Sequence, residues 1–98
     1  MQDTTPGHDE LERLRAAMDV CNLRLAAVLQ ERARLALAIG AWKRRRGLGA
    51  ADPDREAAML AQVVQVAPAG GFAAPALEAI FGAVFAESRR LVEDAARG

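Results

Sequence analysis

Apolar residues recur at heptad spacing between Leu11 and Arg46, a stretch that contains no proline and only one glycine. With Leu11 at position a, nine of the ten a and d positions are apolar, which is the pattern of a long amphipathic helix. The ten positions are Leu11, Leu14, Met18, Cys21, Leu25, Val28, Arg32, Leu35, Ile39 and Trp42. A helix of this extent is roughly 54 Å long. Because the rest of the chain is too short to cover it, we expect a second subunit to do so.

Two shorter helices are predicted downstream of a glycine-containing break. Asp52 and Pro53 form a helix start signal, with Asp52 as the N-cap and Pro53 at the first helical position. This second helix is expected to reach about Val66, where the loop APAGGF begins. The third helix is predicted from about Ala74 to Ala95, with an apolar stripe on one face. The stripe consists of Leu77, Ile80, Phe81, Val84, Phe85, Leu91 and Val92.

The whole pattern predicts an all-α protein with one long and two shorter helices. Residues 1–9 are polar and are expected to form a disordered tail, and residues 10–98 form one helical domain. A domain of this size has a small core unless subunits share it, which again favours an oligomer.

Composition narrows the classes of partner. The chain has 13 Lys and Arg against 13 Asp and Glu, so it has no overall positive field that would attract a nucleic acid. No apolar stretch approaches membrane-spanning length, and the first ten residues lack the features of a signal peptide. We therefore expect a cytoplasmic protein that binds neither nucleic acid nor membrane.

Residues that commonly carry nucleophilic or metal chemistry are scarce. Cys21 is the only cysteine, which excludes an internal disulfide and a cysteine-ligated metal site. Its place in the apolar stripe predicts a buried thiol. His8, the only histidine, is predicted to be exposed to solvent and to act neither as a base nor as a metal ligand. The sequence therefore predicts no metal site.

Arg32 breaks the apolar stripe most clearly. A guanidinium there is costly unless an anion meets it, or unless it reaches the surface or pairs with a nearby Glu. Lys43 follows three turns later, projects within roughly 20° of Arg32 and has its Cα about 16 Å away. The two cations could enclose a small dianion. Arg15 lies about 25 Å before Arg32 and is turned by roughly 100°, so it could complete this pocket only from an antiparallel partner helix.

Other polar residues stand out at the second and third helices. Asp52 and Glu56 have the spacing of one helical face, and Asp52 either caps the helix alone or also contacts a ligand. Arg55 places a cation in a first turn, where the helix dipole favours anions. This is typical of a ligand-binding residue, although a surface ion pair is the alternative. Ser88 lies on the apolar stripe. Its hydroxyl either serves a ligand or only donates a hydrogen bond to a carbonyl of its own helix.

The segments LERLRAAMD, LQERARLALAIGAWKRRRGL, DPDRE and IFGAVFAESRRL, in this order and spacing, resemble the all-α AroQ-type chorismate mutases over residues 11–92. The resemblance implies an intertwined homodimer of three-helix subunits with two equivalent sites. It also implies the Claisen rearrangement of chorismate to prephenate without a cofactor. The implied substrate-binding residues are Arg15 from the partner subunit, Arg32 and Arg55 at the carboxylates, Lys43 at the ether oxygen, Asp52 and Glu56 at the ring hydroxyl, and Ser88 at a carboxylate.

The implied reaction agrees with the residues available. A Claisen rearrangement needs no nucleophile or proton transfer, but it needs a dianion held in a chair-like conformer and a cation near the oxygen that gains charge. Lys43, Arg32 and Glu56 are the residues to which we assign catalysis. Within the run KRRR, Lys43 is assigned to the pocket, and Arg44 to Arg46 are expected to form a solvated helix end favoured by the dipole.

Val92 departs from the family pattern, because these enzymes usually place Gln or Glu four residues after the serine to bind the ether oxygen. Glu93 is turned about 140° from the serine's face and does not obviously replace it. Relatives of this fold act on 4-amino-4-deoxychorismate or on isochorismate, and the missing donor makes a mutase acting on the amino analogue the first alternative. An isochorismate pyruvate-lyase stays open as well, and so does the need for a partner enzyme that activates the site.

Two further alternatives come from other classes. A non-catalytic helical dimerisation module would explain the heptads equally well, but it would not require Arg32 in the seam with Lys43 three turns later. A nucleic-acid binder would depend on the KRRR run alone, and both the zero net charge and the absence of tyrosine argue against it.

Overall fold

A computed structural model describes residues 6–98, and the helices it contains account for almost all of them. They are α1 (Pro6–Arg45), α2 (Pro53–Val63), a 3-10 helix (Val64–Ala69) and α3 (Ala74–Arg97). Residues 6–98 contain no β-strand, which confirms the all-α class with one long and two shorter helices. None of the described helices is long and apolar enough to span a membrane. The chain divides into two units, Met1–Arg32 and Ala33–Gly98.

The described part of the first unit is the beginning of α1. The helix starts at Pro6, ahead of Leu11, so it includes residues 6–9 of the tail that the sequence predicts to be disordered, while residues 1–5 lie outside the described part of the chain. Proline suits this start because its φ angle is already helical and its missing N–H would have no intrahelical partner there. Asp9 in the first turn adds a favourable interaction with the helix dipole.

Large apolar side chains of the first unit are exposed. They are Leu11, Leu14, Met18, Val20, Leu23, Leu25, Val28 and Leu29, with exposed fractions between 40% and 73%. Cys21 is exposed as well, so the prediction of a buried thiol is wrong for the isolated chain. The reason is that the described part of this unit is a single helix, which has no second element to cover its apolar face. An apolar surface of this kind marks an interaction site.

A Schellman motif ends α1 at Arg45, within one turn of Lys43. Gly47 has φ of 69°, and its N–H donates to the Arg44 carbonyl at 3.1 Å. The N–H of Leu48 donates to the Lys43 carbonyl at 2.9 Å. Both are the bonds of this motif, and a glycine satisfies its left-handed position without a steric penalty. The motif therefore fixes where the chain leaves the helix beside Lys43.

Helix α2 begins as the sequence predicts. The Asp52 Oδ1 atom accepts a hydrogen bond from the Arg55 N–H at 3.2 Å, and Pro53 occupies the first turn. The α-helix ends at Val63, three residues before the predicted end, and the 3-10 helix extends into the predicted loop. Pro68 lies inside that 3-10 helix. It lacks an N–H and disfavours α geometry in the residue before it, so the last turns tighten instead of continuing the α-helix.

The most buried hydrophobic side chain among residues 6–98 belongs to α3. Phe85 is 6% exposed, and its ring meets that of Phe81 edge to face, with centroids 6.2 Å apart. Such pairs add about 0.5–1.5 kcal/mol beyond the area that they bury. Helix α3 starts at the predicted Ala74 and continues to Arg97, two residues beyond the prediction. Its buried face anchors the helix that carries Ser88 and Val92.

Gly40 of α1 and Val92 of α3 make a close contact within the second unit. A Cβ atom added to Gly40 would lie 2.6 Å from Val92 Cγ1, and Gly40 is buried. Only a glycine leaves room for the branched side chain at this distance. The two helices therefore approach each other at the position where the resemblance implies a polar residue instead of Val92.

Gly40→Ala is expected to lower the free energy of unfolding by about 1 kcal/mol, because overpacking costs about 1–3 kcal/mol and better helix propensity returns about 1 kcal/mol. Urea denaturation followed by circular dichroism measures the change. Gly82→Ala in α3 is the control, since its new Cβ meets nothing within 4 Å, and we expect it to stabilise. Val92→Ala removes the side chain that the new Cβ would meet, so Gly40→Ala should cost less stability in a Val92→Ala background than in the wild type. Equal effects of Gly40→Ala and Gly82→Ala would contradict the contact.

Candidate active site

Lys43 and Asp52 are brought together by the turn between α1 and α2. The Lys43 Nζ atom lies 3.6 Å from Asp52 Oδ2, and the lysine side chain is only 21% exposed. Asp52 therefore acts twice, because its other oxygen caps α2 through the Arg55 N–H. The contact holds the ammonium group near one position without a tight hydrogen bond, and it leaves donor capacity on the lysine for a ligand.

A small cavity lies beside Lys43 within the second unit. It is lined by Gly40, Lys43, Arg44, Leu48, Ala50, Val92, Glu93 and Ala96 and holds about 90 Å³. Small-molecule sites usually enclose roughly 300–1,000 Å³, so this cavity alone is too small to enclose a ligand of that class. Val92 and Lys43 both line the cavity. Glu93 lines it too, although its five-residue spacing from Ser88 turns it about 140° from the serine's face.

The three arginines after Lys43 have different surroundings. All three are exposed, as predicted for a solvated helix end. Arg44 nevertheless lines the cavity. The Arg46 guanidinium lies 3.9 Å from the centre of the Trp42 ring, and Arg46 Nη1 donates to the Trp42 carbonyl at 3.4 Å. Stacking on the indole and capping of the helix end thus occupy Arg46, and only Arg45 is a purely solvated cation.

Glu56 has a partner that the sequence did not reveal. Arg89 of α3 donates from Nη1 to both Glu56 oxygens, each at 2.5 Å, and the Glu56 side chain is 29% exposed. The i, i+4 spacing predicted that Asp52 and Glu56 share one face. The structure gives each carboxylate a cation of its own, Lys43 for Asp52 and Arg89 for Glu56.

Ser88 makes the hydrogen bond that the sequence offered as its alternative role. Its Oγ donates to the Val84 carbonyl at 2.8 Å, and the residue is half-buried. A hydroxyl has one proton to donate. To donate to a substrate carboxylate, the Ser88 side chain must therefore rotate away from its own helix.

The remaining candidate arginines differ in their surroundings. Arg15 is exposed and donates to Glu12 at 3.2 Å, one turn earlier in the first unit. Arg32 is the last residue of that unit and is half-buried. Arg55 is exposed, and its guanidinium has no ion pair among residues 6–98. The alternative of a surface ion pair for Arg55 is thus not realised in the described chain.

Within the described residues, no group of three or more His, Cys, Asp or Glu side chains is arranged to hold a metal ion. The candidate residues offer a half-buried ammonium on Lys43, the guanidinium groups of the candidate arginines, and the carboxylates of Asp52 and Glu56. This inventory suits the binding of an anion and the stabilisation of negative charge.

Comparisons with known proteins identify one family. Residues 14–93 match the family model for chorismate mutase type II. Among solved structures, the chain is similar to the chorismate mutase (form II) from Thermus thermophilus, with 33% sequence identity and a TM-score of 0.81. That match covers 86% of this chain and 94% of the other. A search of curated proteins found no match.

Proposed function

Since the chain belongs to the type II chorismate mutase family, and is an isomerase of that class, we propose that it rearranges chorismate to prephenate at a site centred on Lys43. The observation that carries this proposal is the half-buried Lys43 ammonium at the wall of the cavity, held near Asp52. A cation in this position is suited to the ether oxygen, which gains negative charge as the C–O bond breaks.

The proposed mechanism depends on restraint and charge. Chorismate is a flexible dianion, and its two carboxylates are assigned to Arg32 and Arg55, whose guanidinium groups can bind a carboxylate through two parallel hydrogen bonds. Holding the reacting carbons in a chair-like conformer lowers the entropic part of the barrier. The Lys43 ammonium then stabilises the transition state more than the ground state, because the negative charge on the ether oxygen is largest there.

The other residues are assigned to substrate orientation. Asp52 restrains Lys43 and, with Glu56, is assigned to the ring hydroxyl. Ser88 assists at a carboxylate after releasing its bond to Val84. None of these residues forms a covalent bond to the substrate, and we propose that the reaction needs no cofactor.

We propose a homodimer in which each site takes Arg15 from the partner chain. Two features support it. The apolar side chains of α1 in the first unit are exposed, so an apolar partner surface would bury them favourably. The cavity beside Lys43 is also too small for a whole substrate, at about 90 Å³. A second copy with its own α1 would cover the apolar face of the first copy's α1 and would complete the wall of the site.

The direct test is the loss of chorismate absorbance with purified protein, repeated with 4-amino-4-deoxychorismate and isochorismate. We expect the highest kcat/KM on chorismate. Preference for the amino analogue, or release of pyruvate from isochorismate, would replace the proposed substrate. No turnover of any of the three would favour the non-catalytic dimerisation module.

Val92→Gln is expected to raise kcat on chorismate by about tenfold, because an amide beside Lys43 would supply a second donor to the ether oxygen. Val92 lines the cavity with Lys43, so the new side chain can reach the same space. The measurement is kcat under saturating chorismate, alongside a thermal melt, since an unmatched amide next to Gly40 destabilises the packing.

Val92→Met is the matched control, because methionine has nearly the same length as glutamine but cannot donate a hydrogen bond. We expect no gain from it. If folded Val92→Gln is slower on chorismate while the wild type prefers the amino analogue, Val92 belongs to a pocket shaped for that other substrate.

A further inference from the structure

The ion pair between Glu56 and Arg89 has a feature that bears on substrate choice. Arg89 donates to both oxygens of the carboxylate and so balances its charge. Each oxygen retains a lone pair that can accept another hydrogen bond. Glu56 is therefore a hydrogen-bond acceptor with its negative charge compensated by Arg89.

We propose that Arg89 makes the site selective for a neutral hydroxyl over a cationic amine at the ring position that Glu56 contacts. This inference rests on the proposed function, in which Glu56 binds the ring hydroxyl of chorismate. The 4-amino analogue carries a primary amine at the same ring position, and aliphatic amines of this kind are largely protonated at neutral pH. The two substrates thus differ by one positive charge next to Glu56.

The direction of the effect follows from the charges. A carboxylate without a counter-ion attracts an ammonium group more strongly than a hydroxyl, because the ammonium adds a Coulomb attraction to the hydrogen bond. With Arg89 in place, that attraction is largely cancelled, and the guanidinium itself repels a second cation. The hydroxyl loses less, since it carries no net charge and needs only an acceptor. Arg89 is therefore a positioning residue that acts through Glu56.

The neighbouring arginine provides a matched control. Arg90 donates to Glu87 at 2.5 Å, one turn away on the same helix, and both of these side chains are largely exposed. Arg89 instead joins α3 to α2 through a carboxylate that is 29% exposed. The two arginines have the same side chain, the same helix and similar bond lengths, but only one of them contacts a residue assigned to the substrate.

The experiment measures kcat/KM for chorismate and for 4-amino-4-deoxychorismate and compares their ratio between variants. In Arg89→Met we expect the ratio to move towards the amino analogue by about tenfold. Arg89→Lys, which retains the charge, should keep the ratio within about threefold of the wild type, and Arg90→Met should leave it unchanged. A thermal melt of each variant separates loss of fold from loss of selectivity.

A second substitution tests whether the effect passes through Glu56. In a Glu56→Gln background no carboxylate remains to be balanced, so Arg89→Met should no longer shift the ratio towards the amine. If Arg89→Met lowers kcat/KM equally for both substrates, or shifts the ratio just as much in the Glu56→Gln background, the inference is wrong while the mutase activity still stands. If the wild type converts neither substrate, the proposed function fails first.

Discussion

Lys43→Met is expected to lower kcat on chorismate by a factor of about 10² to 10³, because a charge-stabilising group at a developing oxyanion is worth roughly 3–4 kcal/mol. Arg45→Met is the control, since Arg45 lies in the same last turn of α1, is exposed and lines no part of the cavity. Its kcat should stay within about threefold of the wild type, as for other exposed charges.

Initial rates from absorbance, with circular dichroism to verify folding, measure both variants. Lys43→Met also leaves Asp52 without its cationic neighbour, but Asp52 keeps its capping bond to the Arg55 N–H, so α2 should remain intact. Losses of the same size in both variants would mean that the basic run acts collectively and that the assignment of Lys43 to the ether oxygen is wrong.

Mixing inactive Arg15→Ala subunits with inactive Arg32→Ala subunits is expected to restore about a quarter of the wild-type activity. The reason is the symmetry of the proposed dimer, in which random exchange yields half heterodimers, each with one intact site and one doubly defective site. Activity is followed after the two proteins are incubated together for long enough to exchange subunits, and a tag on one of them confirms that heterodimers have formed.

The control mixture combines Arg32→Ala with Arg55→Ala. Both arginines are assigned to the same chain's site, so every site in the heterodimer has one defect and no recovery is expected. Recovery in this control, or a lack of recovery from the Arg15 and Arg32 mixture after demonstrated exchange, would contradict a site shared between subunits.

Local signals in the sequence predicted most of the fold. The heptad pattern predicted α1 because apolar spacing reflects the face that a helix must bury. Asp52 and Pro53 marked the start of α2, and the Ser88 bond to its own helix was foreseen as an alternative, because both depend on neighbours within four residues. Errors fell at the helix ends, where Pro6 extended α1 and Pro68 converted the end of α2 into a 3-10 helix.

Contacts between distant residues were less predictable. The pair formed by Glu56 and Arg89 joins residues 33 positions apart. The sequence alone gives no reason for Glu56 to pair with Arg89 and not with Arg90 beside it. The close approach of Gly40 and Val92 has the same origin, because it depends on how two helices cross. Sequence periodicity shows which face of each helix is apolar but not which residues meet across that face.

Together with the proposed dimer, the exposed apolar face of α1 predicts that the behaviour of this protein depends on its concentration. If a second copy covers that face as proposed, folding and association are one event, and mass action governs both. Dilution then favours separated chains whose apolar side chains face water. Specific activity should consequently fall in very dilute assays and recover on concentration, and the midpoint of thermal unfolding should rise with the total amount of protein in the sample.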